Sequence, residues 1–425
     1  MQTLIQSWKA QSLVLLFIWL VSMLSSAEFV LSLSMIGLVA LALFELQVDG
    51  PEVHLRLRST LRQNWQRFLS YKPWPAITLF FFIVLVSALW SSDLHYTLER
   101  LRIKLPFLVL PFAFAGMPPL NRKEVLTILY FVVVMMFCLS VYVFIDFLVN
   151  YDECMELLGK GGHLPTPSNH IRFSLTLALS VLAGIALFFE KFHLRTKAER
   201  WVLGFMTLFL FGFIHLLSVR SGIVAMYLGL FVLVAHWVIA KKKYLLGLAG
   251  TVALIALPFV AYQTIPTFKL KVDYARWDYL QFKQGIGAGY PDSERLTSMQ
   301  AGLEIFQKHP VLGVGAGDLK THMQQYYEQE LEGKYNFRMP HNQLITVMAG
   351  AGIVGLGLFL LAFFTPLFFR RNYAQPLFMA FHAVIFMSFL MENTIENNFG
   401  VSLYLFFLLI GLSYLQGRAG MRDEG

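Results

Sequence analysis

Charge is scarce in this chain of 425 residues: Asp, Glu, Lys and Arg make up 14% of it, against 57% apolar residues. A water-soluble domain covers itself with roughly a quarter of such residues, so a soluble globular exterior is excluded. Cysteine is scarcer still, with two in all. Cys138 lies inside an apolar run and Cys154 just beyond it, which excludes a disulfide scaffold, and neither has the spacing of a zinc site. Internal repeats and low-complexity tracts are missing. The glycine turn at Gly313, Gly315 and Gly317 is not followed by Gly-Lys-Ser/Thr, so it lacks the mechanics of a phosphate loop.

What is present is a series of long apolar runs, each able to cross a hydrocarbon core of about 30 Å. Lipid offers the backbone no hydrogen-bond partners, so such runs are helical. We place twelve of them, at 11–26, 29–46, 74–90, 103–118, 124–149, 170–189, 201–217, 221–240, 244–262, 342–366, 375–392 and 398–416. Small residues occur near Ser25-Ser26-Ala27, but a second apolar run follows at once, so the first reads as a membrane anchor and not as a cleaved signal peptide. The expected fold is an all-α integral membrane protein of about twelve transmembrane helices. A loop module separates spans nine and ten, dividing the chain into 1–262, 263–341 and 342–425.

The net charge of +8 is an orientation signal and does not point to nucleic acid. Arg56, Arg58, Arg62, Arg67 and Lys72 share one connection. Arg122–Lys123, the Lys191/Arg195/Lys197/Arg200 stretch, Lys241–Lys243, Arg370–Arg371 and the tail with Arg418 and Arg422 fill others. With twelve crossings all lie on one side, which the positive-inside rule makes the cytoplasm, together with both termini. The module 263–341 carries nine basic and nine acidic side chains and leaves that rule undisturbed. Two of its stretches read as helices, one capped by Asp292-Ser293-Glu294 with Leu296, Met299, Leu303 and Phe306 on one face, the other capped by Asp318.

Polar residues at span ends concentrate on the opposite face. Arg100, Arg102 and Lys104 open the fourth span, and Asp146 lies near the end of the fifth. His170 and Arg172 open the sixth, Arg220 sits in the hairpin Leu217-Ser-Val-Arg220-Ser-Gly222, His341 and Asn342 open the tenth, and Glu392 closes the eleventh. Charge at such depths marks function or a specific pair. Arginine makes bidentate, permanently charged contacts with phosphate oxygens, so a cationic site here suits a lipid diphosphate. Snorkelling to headgroups explains Arg100, Arg102 and Lys104 equally well; it explains Arg220 less well, because a tight hairpin leaves little length for it. At a helix N-terminus the dipole disfavours imidazolium, so His341 reads either as a general base or, with Asn342, as a helix cap. The glycines at 350, 352, 355 and 357 read as permitting close helix packing.

The arrangement resembles the bacterial O-antigen ligase and O-antigen polymerase superfamily. Glu294-Arg295-Leu296 through Gly302-Leu-Glu-Ile-Phe306, then His309-Pro310-Val-Leu-Gly313-Val-Gly315-Ala-Gly317, is similar to the family's loop signature. His341-Asn342-Gln-Leu344 followed by Ala349-Gly-Ala-Gly352-Ile-Val-Gly355 resembles its most recognisable motif, and Ser218-Val-Arg220-Ser-Gly222 its arginine hairpin. The resemblance implies a cofactor-free, metal-independent, inverting glycosyltransferase in the bacterial inner membrane. Its donor would be a glycan on undecaprenyl diphosphate, and its acceptor a sugar of the lipid A core. Arg220 and Arg295 would neutralise the diphosphate, His341 would take the acceptor proton, and Glu392 would orient His341. His170, Arg172, Asn342, Arg100, Arg102 and Arg338 are placed with them as substrate-binding residues. The chain has no Asp-x-Asp of the kind that holds a metal for sugar nucleotides, which fits a lipid-linked donor.

A polymerase shares this donor and differs in extending a second lipid-linked glycan; the large loop favours the ligase branch. A protein-directed oligosaccharyltransferase stands third. A transporter would place its ionisable groups near mid-bilayer, often on repeats, and neither is seen. Reporter fusions within 263–340 check the topology: a non-cytoplasmic signal is expected, and a cytoplasmic one removes the assignment of the site to the outer face.

Overall fold

The computed structural model describes residues 7–49 and 52–423; residues 1–6, the start of the expected first anchor, lie outside that range. Each expected apolar run is helical over most of its length. In chain order these begin with α1 (Trp8–Leu24) and α2 (Glu28–Leu43). After α3 (Leu61–Ser70) come α4 (Pro73–Ser87), α5 (Leu94–Gly116) and α6 (Arg122–Val149). The short α7 (Tyr151–Gly159) precedes α8 (His170–Phe189), α9 (Glu199–Leu217), α10 (Arg220–Lys241) and α11 (Tyr244–Thr264). The module contributes α12 (Pro266–Lys283), α13 (Pro291–Lys308) and α14 (Leu319–Gln329), and α15 (Gln343–Phe368), α16 (Pro376–Met391) and α17 (Asn398–Asp423) complete the chain.

Among the described residues seven helices are long and apolar enough to cross a membrane: α6, α8, α9, α10, α11, α15 with its 3-10 extension, and α17. The pair α3–α4, bent by 87°, makes an eighth if taken as one span. Helices α1, α2 and α16 are apolar but shorter, and α5 carries Arg100, Arg102 and Lys104 in its first half. Length and composition therefore support fewer crossings than the twelve expected. The expected all-helical fold is seen, with one short exception among the described residues. An antiparallel ribbon, Phe44–Asp49 (β1) with Glu52–Leu57 (β2), joins α2 to α3 and pairs Phe44 with Leu57.

Helix α8 and helix α17 form the centre, with 83% and 72% of their apolar windows buried, whereas α11 has only 11% buried. A helix that is apolar all round is stable at the rim only where its surroundings are apolar too. Around α8 pack α6, α9, α10 and α16; α4, α5 and α15 form a second group that α17 touches through α5.

The module is tied to the bundle by backbone, not by side-chain packing alone. Helix α15 breaks at Gly352, whose φ of 65° and ψ of −165° no helix contains. A break leaves carbonyls and amides without partners, which is costly where water is excluded. Here the glycine turn supplies them. Val314 N donates to Ala349 O at 3.0 Å and Gly315 N to Gly350 O at 2.9 Å, while Ile353 N donates to Pro310 O at 2.9 Å and Val354 N to Val311 O at 3.4 Å. Thus Gly352 is more than a packing glycine, and the turn's amides serve α15 and the neighbouring α4–α5 loop. Asp318 reaches that loop too: its carboxylate accepts from Ser92 N at 2.8 Å and Asp93 N at 2.7 Å, and does not cap α14. Similarly, α13 is capped from outside by buried Asp278 of α12, which accepts from Asp292 N at 2.8 Å and Ser293 N at 3.0 Å.

A Cβ at Gly352 collides with the Val311 carbonyl, whereas one at Gly357 meets no atom of the described residues within 4 Å. Gly352→Ala is therefore expected to destabilise the detergent-solubilised protein by about 2 kcal/mol or more, and Gly357→Ala to leave its heat unfolding nearly unchanged. Equal melting temperatures for the two variants would contradict the inserted turn.

Candidate active site

Helix ends from distant parts of the chain meet beside the module. Between α9 and α10 the chain reverses in a tight turn in which Ser218 takes a positive φ of 57°. Its hydroxyl donates to His215 O at 2.6 Å, and Thr267 at the start of α12 donates to Leu216 O at 2.8 Å. Arg220 follows at once as the first residue of α10. Asn342 caps α15, accepting from Leu344 N at 2.9 Å and Ile345 N at 3.0 Å; its amide nitrogen donates to Leu390 O at 2.8 Å. That bond ties the end of α16 to the start of α15 and sets Glu392 beside His341. The segment after Glu392 is pinned as well. Gln343 accepts from Ile395 N at 3.0 Å, and buried Lys104 donates to Ile395 O at 2.6 Å.

The result is a cleft of about 280 Å³ lined by His163, His170, Arg220, Lys271, Asp292, Arg295, His341 and Glu392. Glu392 Oε2 lies 3.1 Å from His341 Nδ1, and its Oε1 lies 3.3 Å from an Arg295 guanidinium nitrogen. Burial opposes charge on Glu392, but the His341 hydrogen bond and the charges of Arg295 and Arg172 outweigh it and hold the carboxyl below its ordinary range. An ionised carboxylate only accepts, so Nδ1 of His341 carries the proton of this hydrogen bond, and Nε2 lies on the far side of the ring. Arg220 is paired with Asp292. Arg295 Nε and His170 Nε2 are buried without a hydrogen-bond partner among the described residues.

Of the residues proposed from sequence, His170, Arg220, Arg295, His341 and Glu392 face this one cleft. Arg172 stands next to it, donating to Asn169 Oδ1 at 3.1 Å and within electrostatic reach of Glu392. Asn342 is spent on capping. Arg338 turns away to buried Glu294, its Nε 2.7 Å from Oε2. Arg100 pairs with Glu396 at 3.8 Å, and Arg102 is exposed. Residues 100 and 104 are one helical turn apart and share a face of α5, while 102 points the other way, so these three do not act as one cluster.

Three members of the cleft were not anticipated. Lys271, on α12, is buried and donates to Gly161 O at 2.9 Å. Burial and then the charge of Arg220 push its ammonium down to about 8. His163 stacks on His170 with ring centres 3.7 Å apart, and burial, with His170 and nearby cations, pushes it down to about 3. Asp292 is the third. Helix α12 mixes charged and aromatic residues without a single apolar face, so no periodic signal drew attention to Lys271.

Residues 205–360 match the family model described as O-antigen ligase. The match, over about a third of the chain, supports the O-antigen ligase and polymerase superfamily. The matched segment runs from α9 into α15 and holds Arg220, Lys271, Arg295 and His341; Glu392 lies beyond it. Together with its apolar helices, this makes the chain a multi-pass membrane protein. No curated protein matches it.

An ammonium that titrates near 8 is present below that pH and lost above it. For a soluble diphosphate diester, whose charge does not change in this range, affinity is expected to fall about tenfold between pH 7 and 9.5, the loss of one charged contact. Lys271→Arg should flatten that profile. A wild-type affinity independent of pH would show that Lys271 makes no charged contact with this ligand.

Proposed function

We propose that the chain is a ligase-type glycosyltransferase that moves a glycan from undecaprenyl diphosphate to a sugar hydroxyl of the lipid A core. The observation that carries this reading is the Glu392-held imidazole of His341 opening on the same cleft as Arg220, Lys271 and Arg295. The family match supports the substrate class. In this reading the chain crosses the inner membrane twelve times, with both termini cytoplasmic and the cleft on the periplasmic face. The basic connections and the neutral module support that orientation.

Diphosphate is already a good leaving group, so the site's task is to meet the charge that develops on it. Fixed cations in a partly desolvated cleft do this without reorganising. His341 Nε2 accepts the proton of the acceptor hydroxyl as its oxygen bonds to the anomeric carbon. The bond from that carbon to the phosphate oxygen breaks, and the lipid diphosphate leaves against Arg220, Arg295 and Lys271. Direct displacement inverts the anomeric centre. Asp292 holds the Arg220 guanidinium by one edge and leaves it other donors for phosphate. Glu392, shared with Arg295, fixes the ring of His341.

The test is transfer by purified protein in liposomes, with lipid A core and a second lipid-linked glycan offered as alternative acceptors. Product on the core identifies a ligase, and lengthened lipid-linked glycan a polymerase. His341→Ala is expected to lower transfer at least ~100-fold with donor binding retained, and Arg220→Lys to impair turnover because the bidentate geometry is lost. Full activity in His341→Ala would overturn the base assignment.

A further inference from the structure

The basic connection between α2 and α4 contains a helix that the transferase reading does not use. Between residues 53 and 92 the chain has no acidic residue, while Arg56, Arg58, Arg62, Arg67 and Lys72 fall there. Helix α3 lies within this stretch and meets α4 at 87° across a short break. Since α4 packs on the membrane helices α5 and α15, it runs with them, and α3 lies close to the membrane plane. The depth of α3 is set by Asn64 and Phe68, both buried. Asn64 lies against Gly116, the last residue of α5, where a Cβ would come within 2.7 Å of the Asn64 amide nitrogen. Phe68 packs edge-on to Phe112 of α5, with ring centres 6.1 Å apart. Helix α3 thus sits at the end of α5 that leads into Arg122–Lys123, beside another of the basic connections.

Around the helix three faces follow one another. Asn64 and Phe68 meet the bundle. Next comes an apolar strip of Trp65 and Leu69, one turn apart and each 52% exposed. Arg62, Gln66 and Ser70, then Gln63 and Arg67, complete the circle, and all are exposed. Arg58 is engaged by Glu45 and by the face of Trp8, but Arg62, Arg67 and Lys72 have no acidic partner among the described residues.

A narrow apolar strip beside unpaired cations matches a bilayer boundary, where tryptophan and leucine enter the acyl region and arginine stays with the headgroups. A protein partner fits poorly, because two apolar side chains fall far short of the about 800 Å² that each side of a standard interface buries. The lack of any carboxylate over residues 53–92 sets the sign of the headgroup, since unopposed cations draw anionic lipid. We propose that α3 is an interfacial helix that docks on anionic phospholipids of the leaflet beside the basic connections. Trp65 and Leu69 insert, and Arg62, Arg67 and Lys72 meet the phosphates. The proposal goes beyond the transferase reading and does not depend on it.

The experiment is fluorine NMR on the full-length protein labelled with fluorotryptophan, in nanodiscs of phosphatidylcholine and phosphatidylglycerol in equal amounts. The Trp65 resonance is identified by its loss in Trp65→Phe. Lipid carrying a nitroxide high on its acyl chain is expected to broaden that resonance, and a soluble gadolinium chelate to leave it sharp. With the nitroxide on phosphatidylglycerol the broadening should be about fivefold greater than with it on phosphatidylcholine, the enrichment that one cation gives near an anionic surface. Replacing Arg62→Gln and Arg67→Gln together, both on the exposed face, is expected to make the two lipids nearly equal. Broadening by the chelate but not by the lipid would leave the strip facing water and overturn the proposal. A resonance that neither agent reaches would put a second copy or another protein on the strip, and equal broadening by the two lipids in the wild type would remove the anionic preference; each overturns it as well.

Discussion

The carboxylate of Glu392 joins parts of the chain that are remote in sequence. One oxygen meets His341, at the start of α15, and the other meets Arg295, in the module helix α13. Both contacts need the carboxylate ionised, and the two partners keep it so although it is buried. If Glu392 were neutral, the imidazole would lose the group that sets its tautomer, and Arg295 would lose the contact that fixes its guanidinium. Imidazole and guanidinium are therefore held by one shared anion, which fixes their separation.

That arrangement holds only if the module cannot drift from the membrane helices. Side-chain packing across a small interface would allow movement. The structure instead breaks α15 at Gly352 and uses the turn at 310–315 to satisfy the broken backbone. Movement of the module would strand two amides and two carbonyls of α15, each a substantial cost away from water. Asp278 and Asp318 act in the same sense, satisfying backbone amides of elements other than their own. The glycines of this region thus serve close backbone approach, and the cleft inherits its rigidity.

Sequence patterns made the helices legible because a lipid-facing run is long, apolar and nearly free of charge. They made Arg220, Arg295, His341 and Glu392 legible because each is a charged or titratable group at the edge of such a run or within a recognisable motif. What they concealed has physical causes. A helix break at Gly352 looks like any small residue inside an apolar run, since the partner amides come from a turn some forty residues upstream. Lys271 sits on a helix with no clear face, so its burial depends on tertiary packing alone. Arg100 looked like a phosphate ligand because its counter-ion, Glu396, is almost three hundred residues away. Arg338 was misplaced for the same reason, its partner Glu294 lying on another element.

The most direct measurement of the shared anion is a double-mutant cycle on glycan transfer with Glu392→Gln and His341→Ala. If the carboxylate acts through the imidazole, Glu392→Gln slows the wild type markedly yet costs nothing further once His341 is alanine. Equal losses in both backgrounds would show that Glu392 and His341 work independently, and the proposed dyad would have to be abandoned.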